Sequence, residues 1–451
     1  MSRSGEPWFT DRIEPVRVKA SYKLAIALVA VAMVLLPLLY CAVVAGAAYA
    51  WWIYLVVGLP AILDASTNVK VIVLAFTPLV AGATLVFFLF KPLLAPRPPR
   101  ANRFTLSREE APGLFSLVEQ LCDNLGAPRP IRIDVDVRVN ASASLRRGLW
   151  SLFSNDLVLT VGLPLVNGLT LRQFTGVLAH EFGHFSQGVG MRLGYLIWMV
   201  NLWFARVVFV RDRWDLWLDD WSENAQWWGS SASAGLARLG VRVSRRLLHG
   251  LMLAGHRISA ILSREQEFDA DQSEIRTVGS RTFIETSRRL HVLDLANQWA
   301  HSDLNLAWKK GRLGDDVPAL ILANLRQMRQ EQIAEVVAGA MDSTPGMYDS
   351  HPPTGQRIAK AEEHIWEGVF QGDGDARELF KDYVELSRRA TVDYYRQILP
   401  EEFSPEQIAP TAEVAAAGEA EALFSQAGLR YFGGVVWWMK LPDPTAVGTH
   451  G

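Results

Sequence analysis

The sequence predicts a mainly α-helical protein with a small β-sheet, attached to an N-terminal transmembrane helical hairpin. Three observations predict this fold class: two uncharged apolar runs near the N-terminus, two short segments with strand patterning between residues 131 and 162, and long helical patterns after them. Half of the 451 residues are hydrophobic, and mean hydropathy is +0.11. A net charge of -2 argues against a nucleic acid partner.

Two apolar runs predict the hairpin. No charged residue occurs between residues 24 and 63 or between residues 71 and 90, and about 20 apolar residues cross the hydrocarbon core of a bilayer. The first run is too long for a cleaved signal peptide, and a second run follows it. Trp51, Trp52 and Tyr54 are expected to form an aromatic belt at the far interface.

Basic residues predict the orientation of the hairpin. Cytoplasmic segments next to membrane spans carry an excess of Lys and Arg, and here both outer flanks are basic whereas the connecting turn has only Lys70. We therefore expect a multi-pass protein of the inner (plasma) membrane with everything downstream on the cytoplasmic side. The predicted parts are a basic cytoplasmic segment (1–23), the hairpin (24–92) and a linker (93–106). The flanking basic residues are Arg3, Arg12, Arg17, Lys19 and Lys23 before the hairpin, and Lys91, Arg97, Arg100 and Arg103 after it.

Residues 107–365 are predicted to form the main domain. A helix is expected over residues 107–126, because Ser107 and Glu110 match a capping box and Gly126 is a common helix end. Alternating apolar residues predict strands at 131–140 and 156–162. Thr170 and Gln173 form a second capping box, which opens the next helix.

That helix carries the segment "HEFGH" at residues 180–184. Residues four apart share one helix face, so His180 and His184 can bind the same metal ion, with Glu181 beside it as general base. Catalytic zinc takes three protein ligands and keeps one position for water, whose pKa it lowers to about 7. The bare motif is equally compatible with a solvated helix face, so a third ligand is required.

Two downstream patterns are common sources of a third ligand. The long metzincin pattern is excluded, because Gln187 and Gly190 stand where it needs glycine and histidine. The segment "SREQEFDAD" at 263–271 offers Glu267 instead, with Asp271 on the same helix face to accept a hydrogen bond from a ligand histidine. The neighbouring acids Glu265, Asp269 and Glu274 are expected to be solvated.

The combination of HExxH and SRxxEFxAD resembles the membrane zinc peptidases that include the HtpX heat-shock protease and the CAAX-prenyl protease. Two more segments are similar to this family, "VNASAS" at 139–144 and "SHPPTGQRI" at 350–358. The resemblance spans residues 107–365. It implies a zincin-like metalloprotease domain with metalloendopeptidase activity and one zinc ion per chain.

The resemblance also implies roles for single residues. His351 and Arg357 become candidates for stabilising the oxyanion, or His351 for capping the zinc in a resting state, although the Pro-rich segment around them also suits a structural turn. A substrate strand is expected to add to residues 140–143, which could equally be an ordinary edge strand. The implied set is His180, His184 and Glu267 as zinc ligands, Glu181 as base, Asp271 behind the ligands, and Asn140, Ala141, Ser142 and Ala143 along the substrate.

An insert at about 189–262 departs from the family pattern, because it is rich in Trp and Arg where clear membrane spans are usual. Arg192 and Arg206 bracket only 13 residues, which are apolar apart from Asn201, and this favours an amphipathic helix in the membrane interface. A tilted third span and a Trp-rich packing surface remain open. Residues 366–451 are predicted to be a helical region with a tail of unassigned function.

The leading hypothesis is therefore a membrane-anchored zinc endopeptidase that cleaves membrane or misfolded proteins, with water activated by Glu181 as the nucleophile. Its expected partners are a protein or peptide substrate and the lipid bilayer. The chain has no Walker A sequence, so no ATP site is expected. A processing protease for a specific, lipidated substrate and a catalytically idle membrane scaffold are the alternatives. The sequence predicts no oligomeric state.

Overall fold

The computed structural model describes residues 8–13, 20–65, 67–94, 104–146, 156–186, 189–210, 228–343, 352–399 and 403–432. The described part is mostly helical with two small sheets, so the predicted fold class is confirmed.

The hairpin consists of one very long helical arm and one shorter arm. Helix α1 (Ala20–Ile53) continues through a π-helical turn (Tyr54–Gly58) into α2 (Leu59–Ala65), and α3 (Val69–Phe90) returns. Two aromatic side chains form hydrogen bonds between the arms. Trp51 Nε1 donates to Leu79 O at 2.8 Å, and the Tyr54 hydroxyl donates to Ala75 O at 2.6 Å. These two residues therefore bind the partner helix, whereas half of Trp52 is exposed.

The insert begins with a complete helix, and its placement in the membrane interface stays a prediction. Helix α7 (Val189–Phe209) extends beyond both Arg192 and Arg206, so the apolar helix is longer than the bracketed run. Its inner face is buried against α1 at Ile197 and Phe204. Together with the two arms of the hairpin, α7 makes three helices that are long and apolar enough to cross a membrane.

The next helix, α8 (Trp228–Val278), contains 51 residues. The sequence suggested a basic helical stretch followed by a separate acidic motif, but both lie on this single helix. Its first half packs against α1, α3 and α7, and its last turns pack against the helix that carries the HExxH motif. Helix α8 therefore connects the apolar bundle to the candidate site.

The main sheet has the strand order β1-β2-β4-β3. Strand β1 (Phe104–Thr105) is antiparallel to β2 (Arg132–Asp136), β2 is parallel to β4 (Leu157–Gly162), and β3 (Ala141–Leu145) is an antiparallel edge strand. The strand predicted at 131–140 therefore ends at Asp136, and β3 follows it as a separate strand. A turn closed by Asn140 N and Arg138 O at 2.8 Å separates them. A Cβ on Gly162 would lie 2.0 Å from Arg138 O, so only glycine fits beside this turn.

Helix α4 (Pro112–Leu125) starts later than predicted. Ser107 and Glu110 do interact, with Glu110 N 3.3 Å from the Ser107 hydroxyl, but they close a turn before the helix. Pro112 then occupies a first-turn position, where its missing N–H costs no hydrogen bond. The predicted end is confirmed, since Gly126 has φ = 67°.

One core joins the sheet to the helices around it, including residues beyond 365. Phe370 is fully buried and stacks on Trp8, and the buried Tyr383 hydroxyl donates to Leu163 O at 2.8 Å. The N-terminal segment and the C-terminal region therefore pack on the same core. The remaining elements are α5 (Leu163–Gly168), α6 (Leu171–Gly183), α9 (Ser280–Lys309), α10 (Val317–Gln327), α11 (Gln330–Met341), α12 (Thr354–Glu362), α13 (Tyr383–Ile398), α14 (Thr411–Phe432), and the parallel pair β5 (Leu313–Gly314) and β6 (Ile408–Ala409).

Candidate metal centre

Helix α6 presents the two histidines. It begins at the predicted capping box: Gln173 N donates to Thr170 Oγ1 at 3.3 Å, and Thr170 N donates to Gln173 Oε1 at 3.1 Å. His180 lies in the last turn, and His184 caps the helix with helical dihedrals (φ −59°, ψ −27°). Helical spacing is therefore kept across the motif, and the ring centroids lie 5.0 Å apart with nearly perpendicular planes.

Two glycines bring α6 and α8 into close contact on the face that carries His180. Gly176 and Gly183 lie four residues before and three after His180, which places all three on one face. A Cβ on Gly183 would lie 2.8 Å from Ser273 Cβ and 3.2 Å from Ala270 Cα. This contact was not predicted from the sequence. Its signal was the pair of glycines spaced seven residues apart around a histidine.

The close contact brings three candidate ligand residues together. His180 Nε2 lies 3.5 Å from Glu267 Oε2, and His184 Nε2 lies 3.7 Å from Glu267 Oε1. One ligand atom from each residue lies within 4.8 Å of the other two. In a tetrahedral zinc site with bonds of about 2.0–2.1 Å, neighbouring ligand atoms are about 3.4 Å apart. The donor types and their spacing therefore fit a zinc ion.

Asp271 lies on the opposite side of the His180 ring. Its Oδ1 is 3.1 Å from His180 Nδ1, one turn along α8 from Glu267. With Nδ1 facing this carboxylate, Nε2 is the nitrogen that faces Glu267. Burial of the ring would lower the pKa of His180, but contacts with Asp271 and Glu267 raise it to about 10 in the metal-free site.

Arg357, from the first turns of α12, pairs with Asp271. Its Nε and a terminal nitrogen donate to the two carboxylate oxygens at 2.9 and 2.5 Å. Burial alone would raise the pKa of Asp271, but these hydrogen bonds and the nearby His180 lower it. Two of its N–H donors therefore face Asp271 behind the candidate ligands. The oxyanion role implied for Arg357 stays a prediction.

Glu274 differs from the prediction. It was expected to be solvated, but it is only 4 % exposed, and its Oε2 lies 3.9 Å from His180 Nδ1. Burial raises the pKa of Glu274 to about 7. The residue is seven positions after Glu267, so it shares the helix face of Glu267 and Asp271. Glu265 is exposed, as expected for a solvated side chain, whereas Asp269 is half-buried.

The base candidate lies against the edge strand. Ala143 N donates to Glu181 Oε2 at 3.3 Å. At the two ends of the β3–β4 pairing, Gly162 N donates to Asn140 O and Arg146 N donates to Asp156 O. Backbone hydrogen bonds alternate from one residue to the next along an antiparallel edge strand. Asn140 and Ser142 therefore form hydrogen bonds to β4, and the backbone groups of Ala141 and Ala143 point away from the sheet.

His351 lies outside the described residues. Its neighbours Pro352 and Pro353 are buried, and α12 begins directly after them. The role of His351 therefore stays a prediction.

Residues 109–365 match the sequence profile described as Peptidase family M48. This segment contains every candidate residue of the site, from Asn140 to Arg357. Neither the comparison with curated proteins nor the comparison with solved structures gives a match. Because the matched segment covers more than half of the chain, the protein belongs to peptidase family M48, the zinc metallopeptidases that include HtpX and the CAAX prenyl protease.

Proposed function

We propose that this protein is a membrane-anchored zinc endopeptidase that hydrolyses peptide bonds of membrane proteins or misfolded proteins. The observation that carries the proposal is the convergence of His180, His184 and Glu267 within 4.8 Å, with the Glu181 carboxylate bonded to the edge strand β3 through Ala143 N.

His180, His184 and Glu267 would hold the zinc ion. Bound zinc supplies a Lewis acid that lowers the pKa of a water molecule to about 7 and polarises a carbonyl. Asp271 orients the His180 ring through Nδ1, and Arg357 holds Asp271 in place with two hydrogen bonds. Such partners behind the ligands fix ring orientation and support metal affinity.

Glu181 acts as the general base. Its carboxylate accepts a proton from the attacking water as the water oxygen bonds to the scissile carbonyl carbon. It then delivers that proton to the leaving nitrogen as the C–N bond breaks. The same carboxylate accepts the Ala143 N–H in the absence of substrate, which keeps it at the sheet edge where the peptide must lie.

Substrate binds as an added strand along β3. Ala141 and Ala143 offer outward backbone groups at the edge, and their small side chains leave room for a neighbouring strand. Recognition through main-chain hydrogen bonds reads an extended backbone more than side chains. This mode suits unfolded segments of many sequences, which is why misfolded proteins are the proposed substrates.

Replacing Glu181 with Gln tests the chemistry. Casein cleavage is expected to fall by at least about 10²-fold, because Gln cannot accept the proton, while zinc content and the thermal unfolding midpoint stay at wild-type values. The matched control is Glu265→Gln, an exposed carboxylate on α8, which should cleave normally. Unchanged cleavage in Glu181→Gln contradicts the mechanism, and a wild type that binds zinc without cleaving any protein supports the scaffold alternative.

The catalytic domain is proposed to face the cytoplasm. Support comes from the basic residues on both outer flanks of the hairpin and their scarcity in its turn. A phosphatase reporter fused after Arg100 should be inactive in cells, since it needs the oxidising side of the membrane. A reporter that is active there contradicts the orientation.

A further inference from the structure

A cavity outside the metal centre opens between three parts of the peptidase domain. Its volume is about 690 Å³, which is within the range of sites that bind small ligands. The walls come from the turn before α6 (167–170), the middle of α9 (285–292) and helix α11. Thr170 at this turn precedes His180 by ten residues, or about 15 Å along the helix. The cavity is therefore separate from the candidate zinc ligands.

The cavity lies at the end of the domain away from the apolar bundle. Helices α6 and α8 run antiparallel, because a Cβ on Gly183 would lie 3.2 Å from Ala270, whereas one on Gly176 would lie 2.9 Å from Val278 at the end of α8. The first half of α8 packs in the bundle, so the start of α6 points away from it. A ligand of this cavity therefore arrives from the aqueous side and not from the bilayer.

Helix α11 supplies an apolar wall. Ile333 and Val337 lie one turn apart on α11 and line the cavity together with the buried Val292 of α9. All 12 residues of α11 are described and none of them is buried, so this helix covers the cavity without filling it. An apolar group bound here would remove the exposed parts of Ile333 and Val337 from water, which favours binding.

Two arginines of α9 supply the polar side. Arg289 is half-buried, and its Nε donates to Gly168 O at 3.1 Å, which leaves its two terminal nitrogens as donors. Arg288 is exposed beside it at the cavity. Within the described ranges of the chain, neither arginine forms an ion pair. Burial lowers the pKa of Arg289, so an anion beside it would offset the cost of burying its charge.

The acids at the cavity have basic partners of their own. Arg281 Nε lies 3.0 Å from Glu285 Oε1. Arg377 Nε donates to Asp375 Oδ2 at 2.8 Å. The charge available to a ligand is therefore that of the two arginines on α9. Guanidinium groups bind carboxylates and phosphates through paired hydrogen bonds, but a phosphate monoester carries up to about two negative charges, and the lining acids would repel the second. A carboxylate fits better.

We propose that this cavity binds the C-terminal end of a peptide, with its carboxylate on Arg288 and Arg289 and an apolar last side chain against Ile333 and Val337. An α-carboxylate carries one charge and lies next to the last side chain, which matches the arrangement of the two walls. A fatty acid combines the same two groups, but it has no N–H donors for the acids that also line the cavity.

The proposed peptidase activity would supply such a ligand. Hydrolysis of a peptide bond leaves one product with a new C-terminal carboxylate, so the source of the ligand rests on the proposed function. Binding of a peptide in the cavity does not, because no zinc ligand and no part of β3 lines it.

Photo-crosslinking locates the bound peptide. The probe is acetyl-Ala-Ala-Ala-photoleucine with a free carboxylate, mixed with the full-length Glu181→Gln variant so that it stays intact. After irradiation, fragmentation mass spectrometry should place crosslinks in α11 around Ile333 and Val337. The same peptide with a C-terminal amide should give these crosslinks at least about ten-fold less efficiently, because hydrogen bonds to charged groups contribute about ten-fold or more in affinity.

Variants of the arginines test recognition of the carboxylate. The probe concentration that half-saturates the α11 crosslink measures the affinity of this site alone. Arg288→Gln and Arg289→Gln should each raise it by about ten-fold. Arg288 is exposed, so its variant decides the matter if Arg289→Gln, which loses the bond to Gly168, does not fold. The matched control is Arg396→Gln, at an exposed site on α13, which should leave the half-saturation unchanged.

The other outcomes overturn the proposal. Crosslinks confined to β3 and α6 mean that the probe binds only at the metal centre. Equal crosslinking by the amide, or unchanged half-saturation in Arg288→Gln, contradicts recognition of the carboxylate. Displacement of the probe by an equal concentration of decanoate assigns the cavity to a fatty acid instead. Casein cleavage by the wild type is measured separately, so cleavage without the α11 crosslink refutes the cavity assignment alone, and the crosslink without cleavage refutes the proposed chemistry alone.

Discussion

The two ends of helix α8 pack by different means. Its first half contacts α1, α3 and α7 through large apolar side chains such as Met252, Phe204 and Tyr40. Its last turns contact α6 through Gly176 and Gly183, so that helix backbones nearly touch. The first half is held by apolar burial that tolerates small shifts, whereas at the other end a shift of one helix would separate the metal ligands.

The two ends of α8 also differ in charged residues. The last three turns bury the carboxyl groups of Glu267, Asp271 and Glu274 on one face. Buried carboxylates are costly unless they are paired or bind a metal. Arg357 pairs with Asp271, burial raises the pKa of Glu274 to about 7, and Glu267 faces the two histidines. This end of α8 therefore depends on charged or metal-binding partners, whereas the first half carries no carboxylate.

The largest effect is expected from Arg357→Ala. It leaves Asp271 buried without its bidentate partner, which should destabilise the fold by about 3–5 kcal/mol and weaken zinc binding by about 10–100-fold. Arg357→Lys keeps the charge but loses the paired hydrogen bonds. Its stability and zinc affinity should therefore fall between those of the wild type and those of Arg357→Ala. Zinc competition with a chelator and thermal unfolding measure these effects. Arg281→Ala, at an exposed site on α9, is the control, and equal zinc affinity in all variants would show that Arg357 does not support the site.

A smaller effect is expected from Gly183→Ala. The added methyl would lie 2.8 Å from Ser273 Cβ and 3.2 Å from the Ala270 backbone, so α6 and α8 must separate by a few tenths of an ångström. Overpacking of this kind costs about 1–3 kcal/mol. Because His180 and Glu267 lie on the two separating helices, zinc affinity should fall together with the unfolding midpoint. Wild-type zinc affinity in this variant would mean that the contact does not position the ligands.

The smallest effect is expected from Gly250→Ala in the first half of α8. In the described part of the chain, no atom outside the backbone of α8 lies within 4 Å of the added methyl, and alanine favours a helix over glycine by about 0.5–1 kcal/mol. The unfolding midpoint should rise slightly and zinc affinity should not change. A loss of zinc in Gly250→Ala would contradict the independence of the two ends.

Local signals in the sequence predict the parts of the site that depend on one helix. The capping box at Thr170 and Gln173, the pairing of His180 with His184, and the helical spacing of Glu267 and Asp271 follow from periodicity alone. The hairpin follows from two uncharged runs. These features need no knowledge of what packs against them.

Features that depend on a second element were missed or misplaced. The burial of Glu274 depends on α6 lying against α8, and the pairing of Arg357 with Asp271 depends on α12 lying behind them. The strand predicted at 131–140 ran past the end of β2, because Val137 and Val139 continue the apolar alternation into the turn before β3. Arg192 and Arg206 shortened the apparent run of α7, although both side chains fit on the helix.

Metal analysis of purified protein tests the convergence of the three ligands most directly. Wild type and the control Glu265→Ala should each contain about one zinc ion per chain, and a strong chelator should remove it together with casein cleavage. Glu267→Ala should retain less than about a tenth of this zinc while its helical content stays unchanged by circular dichroism, because two histidines alone leave the ion weakly held. Full zinc occupancy in Glu267→Ala would contradict the assignment of Glu267 as the third ligand.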